Sequence, residues 1–236
     1  MSGSLFFYNS MNVTFFGHAC FLVELENARL LFDPYITPNE AAAHIDVESI
    51  DADYVLLTHG HADHVADAEA ILKRTGATLI SNFEVVTWFE NKGIEKTHGM
   101  NHGGTYRFPF GTVKYVNAIH SSSMPDGSYG GNPGGFVIVT PDAQFYASGD
   151  TALTQDMKLL GEFHSLDWAA LCIGDNFTMG AADAARCAQW VGVNRVLGLH
   201  YDTFPPIQID RDEARRHFRA VDIHLLLPEI GEKFVL

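Results

Sequence analysis

Three histidines and one aspartate fill most of the six positions His59-Gly60-His61-Ala62-Asp63-His64, directly after Thr58 and the apolar run Tyr54-Val55-Leu56-Leu57. Neutral imidazole and carboxylate are ligands that zinc, manganese and iron(II) accept, and an i, i+2 pair on an extended segment aims both rings at one ion. Asp63 and His64 then face another way. A competing reading makes the segment a helix start, with Asp63 capping a helix over residues 66–74 and the histidines as polar loop residues. Loops select Gly, Asn, Asp and Ser for their backbone behaviour and have no comparable reason to collect histidine, which favours the metal.

Three other positions repeat the theme. His120 follows Ile119, Asp150 follows Ser148-Gly149, and His200 follows Leu199, each placing a ligand-type residue after an apolar strand-like run and before polar sequence. In open α/β sheets, sites assemble at the carboxyl ends of strands. Each position alone reads as a turn or cap residue; together with the first cluster they supply enough ligands for two ions.

The elements that must position these residues alternate along the chain. Strand-like runs at 13–16 and 20–25 meet at Gly17-His18-Ala19, and a third run, 29–32, ends at Asp33-Pro34. After a loop with a short helix near 40–44, the strand 54–57 leads into the histidine cluster, a helix over 66–74, a strand at 78–81 and a helix at 84–91. Further strands are expected at 105–108, 112–119, 135–140, 144–148, 168–173, 195–199, 223–227 and 233–235. Helices are expected at 153–162, 181–191 and 211–220. The Ser/Gly/Pro-rich stretch 121–134 reads as a loop long enough to border a pocket. No Pro/Ser-rich linker divides the chain, so residues 11–236 read as one layered α/β domain, with residues 1–10 as an N-terminal extension lacking the pattern of a signal peptide.

Composition narrows the function. The 236 residues are 47% hydrophobic and 19% charged, and 29 acidic against 15 basic residues give a net charge of −14. That balance repels phosphate backbones and anionic membranes, so the expectation is a small-molecule substrate, no nucleic acid and no membrane, with a homo-oligomer left open. Arg211, Arg215, Arg216 and Arg219 fit one solvated helix face. Three widely spaced cysteines, Cys20, Cys172 and Cys187, contain no C-x-x-C pair; a disulfide framework is not expected, and the cytoplasm is the expected compartment.

The pattern H-x-H-x-D-H followed by a distant His, Asp and His resembles the metallo-β-lactamase superfamily, over essentially Met11 to Leu236. The resemblance implies an αββα four-layer sandwich with the metal site at one edge of the two sheets. Two divalent ions are expected there, zinc first and manganese second, since mixed His and carboxylate ligation does not discriminate strongly between them and availability often decides. Carried over residue by residue, it implies that His59, His61 and His120 hold the first metal, that Asp63, His64 and His200 hold the second, and that Asp150 bridges them. Four further segments, residues 16–21, 99–104, 173–180 and 200–205, are similar to uncharacterised metal-dependent hydrolases related to L-ascorbate-6-phosphate lactonase. Asp175 stands where that branch has glycine. The same resemblance places His18 beside the metals, against the reading that it is simply packed in its tight turn. Tyr201 and Thr203, directly after a ligand-type residue, are pocket candidates, and His102 in its Gly-rich loop is a weaker one, while Phe177 and Met179 are expected to pack.

Two cations a few ångström apart lower the pKa of a shared water from about 15.7 toward 7, giving a hydroxide nucleophile without serine or cysteine. No G-x-S-x-G elbow is present, and Ser121 to Ser123 have no recognisable base. The expected function is therefore a metal-dependent hydrolase of an ester, lactone or related small molecule, with Asp63 orienting the attacking water. The rivals are a phosphodiesterase or nuclease, which needs cations near the metals, and a metal-binding protein with a redox or regulatory site and no hydrolytic turnover.

Overall fold

The structure is a computed structural model describing residues 11–236; the expected extension at 1–10 lies outside the described residues. The first half of the chain supplies β1 (Asn12–Gly17), β2 (Cys20–Glu24), β3 (Arg29–Phe32), β4 (Tyr54–Leu56), β5 (Thr78–Asn82) and β6 (Thr97–Met100). The second supplies β7 (Thr105–Phe108), β8 (Gly111–Asn117), β9 (Gly134–Val139), β10 (Gln144–Ala147), β11 (Trp168–Cys172), β12 (Arg195–Leu199) and β13 (His224–Leu226). The last strand, β14 (Lys233–Val235), returns to pair with β1, so the two sheets have the orders β14-β1-β2-β3-β4-β5-β6 and β13-β12-β11-β10-β9-β8-β7.

Period-2 alternation decides how these sheets stack, because successive side chains of a strand point to opposite faces. In the first sheet Val13, Phe15, Phe21, Val23, Leu30, Phe32, Leu56 and Ile80 belong to the large core shared with the second sheet. Their neighbours Leu22, Leu31, Val55, Leu57 and Leu79 belong to a second core under the helices. Aromatic contacts cross the sandwich: Phe32 meets Phe136 at 6.3 Å and Phe145 at 6.1 Å, and Phe21 meets Trp168 at 6.4 Å. Helices α1 (Ala62–Val65), α2 (Ala68–Thr75) and α3 (Phe83–Glu90) belong to the first half, and α4 (Asp156–Phe163), α5 (Ala181–Val191) and α6 (Arg211–Arg219) to the second. Ile71, Leu72, Val85, Val86 and Phe89 cover the outer face of the first sheet, while Met157, Ala184, Ala188 and Phe218 join the other core. The result is the αββα sandwich.

Strand direction brings the candidate residues together. β3, β4, β5 and β6 are mutually parallel, as are β10, β11, β12 and β13. Their carboxyl ends carry Asp33, His59, Asp150 and His200 to one edge of the sandwich.

Several expected elements differ. The helix expected at 66–74 begins only at Ala68, after the separate single turn Ala62–Val65, because Asp67 N donates to Pro34 O at 3.0 Å and not back into the preceding turn, while its Oδ2 accepts from Ile36 N at 2.6 Å and Thr37 N at 2.9 Å. The helix expected from 153 begins only at Asp156, and the short helix near 40–44 is a 3₁₀ turn, Glu40–Ala42, followed by another at Val47–Ser49. β6 was not expected; Thr97-His98-Gly99-Met100 has little strand propensity and is held by pairing with β5. β8 ends at Asn117, so His120 stands on a loop and not at the strand's last residue. Met179 is buried as expected, but Phe177 is 54% exposed and does not pack.

Candidate metal centre

The short helix α1 turns the side chains of one hexapeptide in two directions. His59, in a bend, and His61, in extended backbone, precede the helix, while Asp63 and His64 lie in its single turn and so point elsewhere. Asp63 makes no capping bond; its Oδ2 lies 3.1 Å from His18 Nε2 and 3.7 Å from His200 Nε2. The helix-cap reading of the cluster therefore does not describe this segment.

All seven expected ligands, from His59 to His200, lie in one cluster. His59 Nε2 is 3.0 Å from His61 Nδ1, with the His120 ring centroid 5.2 Å from that of His59 and 5.1 Å from that of His61. Asp150 Oδ2 stands between the two groups, 3.5 Å from His120 Nε2, 3.4 Å from His64 Nε2 and 3.0 Å from His200 Nε2. Bonds of about 2.0–2.2 Å to one ion place adjacent donor atoms roughly 2.8–3.6 Å apart, so the spacing suits cations at the centre. His64 Nε2 and Asp150 Oδ1 are buried and lack any hydrogen-bond partner. Buried polar atoms are seldom left so, and both belong to this cluster.

The outward ring nitrogens of His59 and His64 are held by other groups, whereas His200 Nδ1 is buried without a partner. His59 Nδ1 faces Thr58 Oγ1 at 3.0 Å; Thr58 Oγ1 donates to Asp33 Oδ2 at 2.7 Å; and His64 Nδ1 lies 2.9 Å from the same oxygen. Asp33 Oδ1 also accepts from Thr58 N at 2.8 Å. One buried carboxylate thus orients two histidines and leaves their Nε2 atoms facing the cluster, the arrangement that fixes the tautomer of metal-binding imidazoles. Asp33 was not among the expected site residues. An Asp at the end of a strand is too ordinary a turn residue to point to it; in the structure its φ of 40° marks a backbone conformation imposed by its surroundings.

The loops are pinned with similar economy. Ser122 Oγ accepts from Gly60 N at 3.1 Å and donates to Gly130 O at 2.8 Å, while Asn82 caps α3 and donates to Gly130 O at 2.8 Å. His200 has φ 58°, and a Cβ on Gly174 would lie 1.9 Å from the His200 carbonyl oxygen. Only glycine lets the 173–180 loop approach the ligand strand so closely. Asp175, in place of the expected glycine, adopts φ 60° and its Oδ1 accepts from Asn176 N at 2.8 Å, which lets a side chain occupy a conformation glycine usually fills. Of the pocket candidates, Tyr201 stacks on Phe15 and lines, with Thr203 and His18, a cavity of about 420 Å³. His102 stacks on Tyr115 and its Nε2 lies 2.9 Å from Pro133 O, which ties it to the 121–134 loop.

Burial drives His59 well below the ordinary imidazole value and lowers His61 and His120 too. It also lowers His18, to about 4, against the opposing pull of the Asp63 carboxylate beside it. Burial acts the same way on His64 and His200, but neighbouring carboxylates outweigh it, holding His64 well above the ordinary value and His200 at about 9. Asp150 and Asp63 are held far below the carboxylate range, burial being outweighed by the histidines around them. Both shifts favour the protonated rings of His64 and His200 in the ion-free chain, and a cation bound there would compete with those protons. Apparent metal affinity should rise with pH and level off only above about 9. Calorimetry in buffers of different ionisation enthalpy measures the protons released, and binding at pH 7 without proton release would contradict this assignment.

A family model for the beta-lactamase superfamily domain matches residues 12–200. The chain belongs to the metallo-β-lactamase superfamily. Within that superfamily it is 50% identical over 227 residues to a metal-dependent hydrolase of Christiangramia forsetii, covering 96% of this chain and 100% of that one. A metal-dependent hydrolase of Flavobacterium johnsoniae is 49% identical over 226 residues, with the same coverage. Among solved structures, a metallo hydrolase from the hyperthermophilic archaeon Ignicoccus hospitalis superposes with TM-score 0.86 at 31% identity, covering 96% of this chain and 98% of that one. This metallo-β-lactamase superfamily member is a metal-dependent hydrolase.

Proposed function

We propose that the protein hydrolyses an ester, lactone or related small molecule at a dinuclear metal centre, with zinc as the first choice of ion and manganese the second. The observation that carries this reading is the convergence of His59, His61, His120, Asp63, His64 and His200 around Asp150, with neighbouring donors 3.0–3.7 Å apart. His59, His61 and His120 form one set, Asp63, His64 and His200 the other, and Asp150 is shared. Two divalent ions there would supply Lewis acidity and, at neutral pH, a hydroxide nucleophile.

The chain's own groups do the rest. Asp63, held ionised and 26% exposed at its side chain, is placed to orient a water and accept its proton. Asp33 and Thr58 keep the imidazoles aimed inward. His120, with its side chain 14% exposed, leaves the first position accessible from solvent, which favours catalysis over a closed structural site.

Charge argues against a phosphodiester. Segments 17–20, 58–67, 118–134, 148–154, 173–181 and 200–209 contain no lysine or arginine, whereas phosphate recognition relies on such cations. Arg211, which lines the 420 Å³ cavity, is engaged by Asp202 at 3.0 Å and Glu229 at 3.4 Å. We place the protein in the cytoplasm, since Cys20, Cys172 and Cys187 are all unpaired and buried. No described helix is long and apolar enough to cross a membrane.

The test is a panel of lactones, carboxylic esters, amides and phosphodiesters assayed with the reconstituted protein, with and without chelator. Chelator-sensitive turnover of lactones or esters is expected. Turnover confined to phosphodiesters, or unaffected by chelator, would overturn the assignment.

A further inference from the structure

His18 is not among the seven residues assigned above, yet it shares every feature that marks them. It is 1% exposed, and it stands on the β1–β2 turn at φ 55°, a conformation that an L residue adopts only where surrounding structure imposes it. Its carbonyl accepts the backbone N–H of His200 at 2.8 Å, stitching the turn of one sheet to the ligand strand of the other. Its ring lies 4.1 Å from that of His200 and 5.6 Å from that of His64, centroid to centroid. Ligand atoms of His18, Asp63, His64 and His200 all lie within 4.8 Å of one another.

The hydrogen-bond pattern is the more telling feature. His18 Nδ1 faces Thr203 Oγ1 at 3.0 Å, and Thr203 Oγ1 in turn donates to Tyr201 O at 3.3 Å. This repeats the relay from His59 through Thr58 to Asp33, in which a threonine hydroxyl takes the outward N–H and passes its own proton on. With Nδ1 as the donor, Nε2 carries a lone pair, and it stands 3.1 Å from Asp63 Oδ2, which is also an acceptor. Two acceptors at that distance repel unless a cation lies between them.

We propose that His18 is an eighth metal ligand, its Nε2 joining Asp63, His64 and His200 at the second position. This rests on the dinuclear reading above. The two positions are then unequal: the second has five protein donors, counting the shared Asp150, and the first has His59, His61, His120 and Asp150. The second ion is the tightly held one, and the first keeps the open coordination place for water or substrate. Thr203 is a positioning residue acting through His18.

The experiment is zinc titration calorimetry of the full chain beside His18→Ala and Thr203→Val, joined to a crystal structure of the zinc-loaded parent. The parent should take up two ions, and His18→Ala should bind one as the parent does while losing the other by 10-fold or more. Thr203→Val should show a smaller loss at the same position. In the parent crystal, His18 Nε2 should lie about 2.0–2.1 Å from the second ion. Parental affinity for both ions in His18→Ala would overturn the proposal. So would a parent crystal in which Nε2 donates to Asp63 and stands more than about 3 Å from either ion, a result that holds even if the variant fails to fold. A parent that takes up no ion would overturn the dinuclear reading itself.

Discussion

Asp150→Asn should strip the protein of both ions, weakening each by about 100-fold or more, with hydrolysis lost alongside. The substitution keeps the size of a side chain that is 3% exposed, and it removes the one charge facing His64, His120 and His200 together. A shared carboxylate would hold both cations and offset their mutual repulsion, which for two divalent ions about 4 Å apart is on the order of 15 kcal/mol even at an effective dielectric near 20. By contrast, on the proposed division His200→Ala removes a ligand from the second position alone and leaves His59, His61 and His120 in place. Metal titrations of the two variants, with folding checked by circular dichroism, separate these roles. If His200→Ala emptied both positions while Asp150→Asn kept two ions at parental affinity, the division of ligands would be wrong.

Asp33→Ala should be the most destabilising single substitution near the centre, although Asp33 is not itself assigned to a metal. Its carboxylate, in a residue 2% exposed, accepts from Thr58 N, Thr58 Oγ1 and His64 Nδ1. Truncation leaves those buried donors without a partner and removes the counter-charge of His64, a loss of about 3–5 kcal/mol. The same change frees His59 and His64 to rotate, so metal affinity should also fall about 10–100-fold, as when orienting partners of metal ligands are removed. Chemical denaturation of the chelator-treated protein measures the first effect and metal titration the second. Stability and affinity both at the parental level would show that Asp33 does not orient these histidines.

The contrast between Asp150 and Asp33 marks what the letters reveal. Ligand residues carry a chemical signature: His59-x-His61-x-Asp63-His64 is improbable as loop sequence, and His120, Asp150 and His200 each follow an apolar run. Asp33 carries no such signature, because Asp-Pro after a strand is also an ordinary turn; only contact with Thr58 and His64 distinguishes it. The strands at 20–25, 29–32, 168–173 and 195–199 were legible because buried apolar runs announce themselves. The edge strand Thr97–Met100 was not, since pairing with β5 and not its own residue types holds it extended. The break at Asp67 was hidden for a similar reason, its carboxylate being drawn to backbone amides some thirty residues away. Both sheets also combine an antiparallel part with a parallel part, a repeated design that no visible sequence repeat discloses.

The central claim is that one edge of the sandwich holds two ions per chain, and elemental analysis tests it most directly. Protein stripped with chelator, reconstituted with zinc or manganese and freed of unbound metal should retain two ions per chain, and Asp150→Asn treated alongside should retain almost none. No more than trace metal in the parent after reconstitution with either ion would contradict the account.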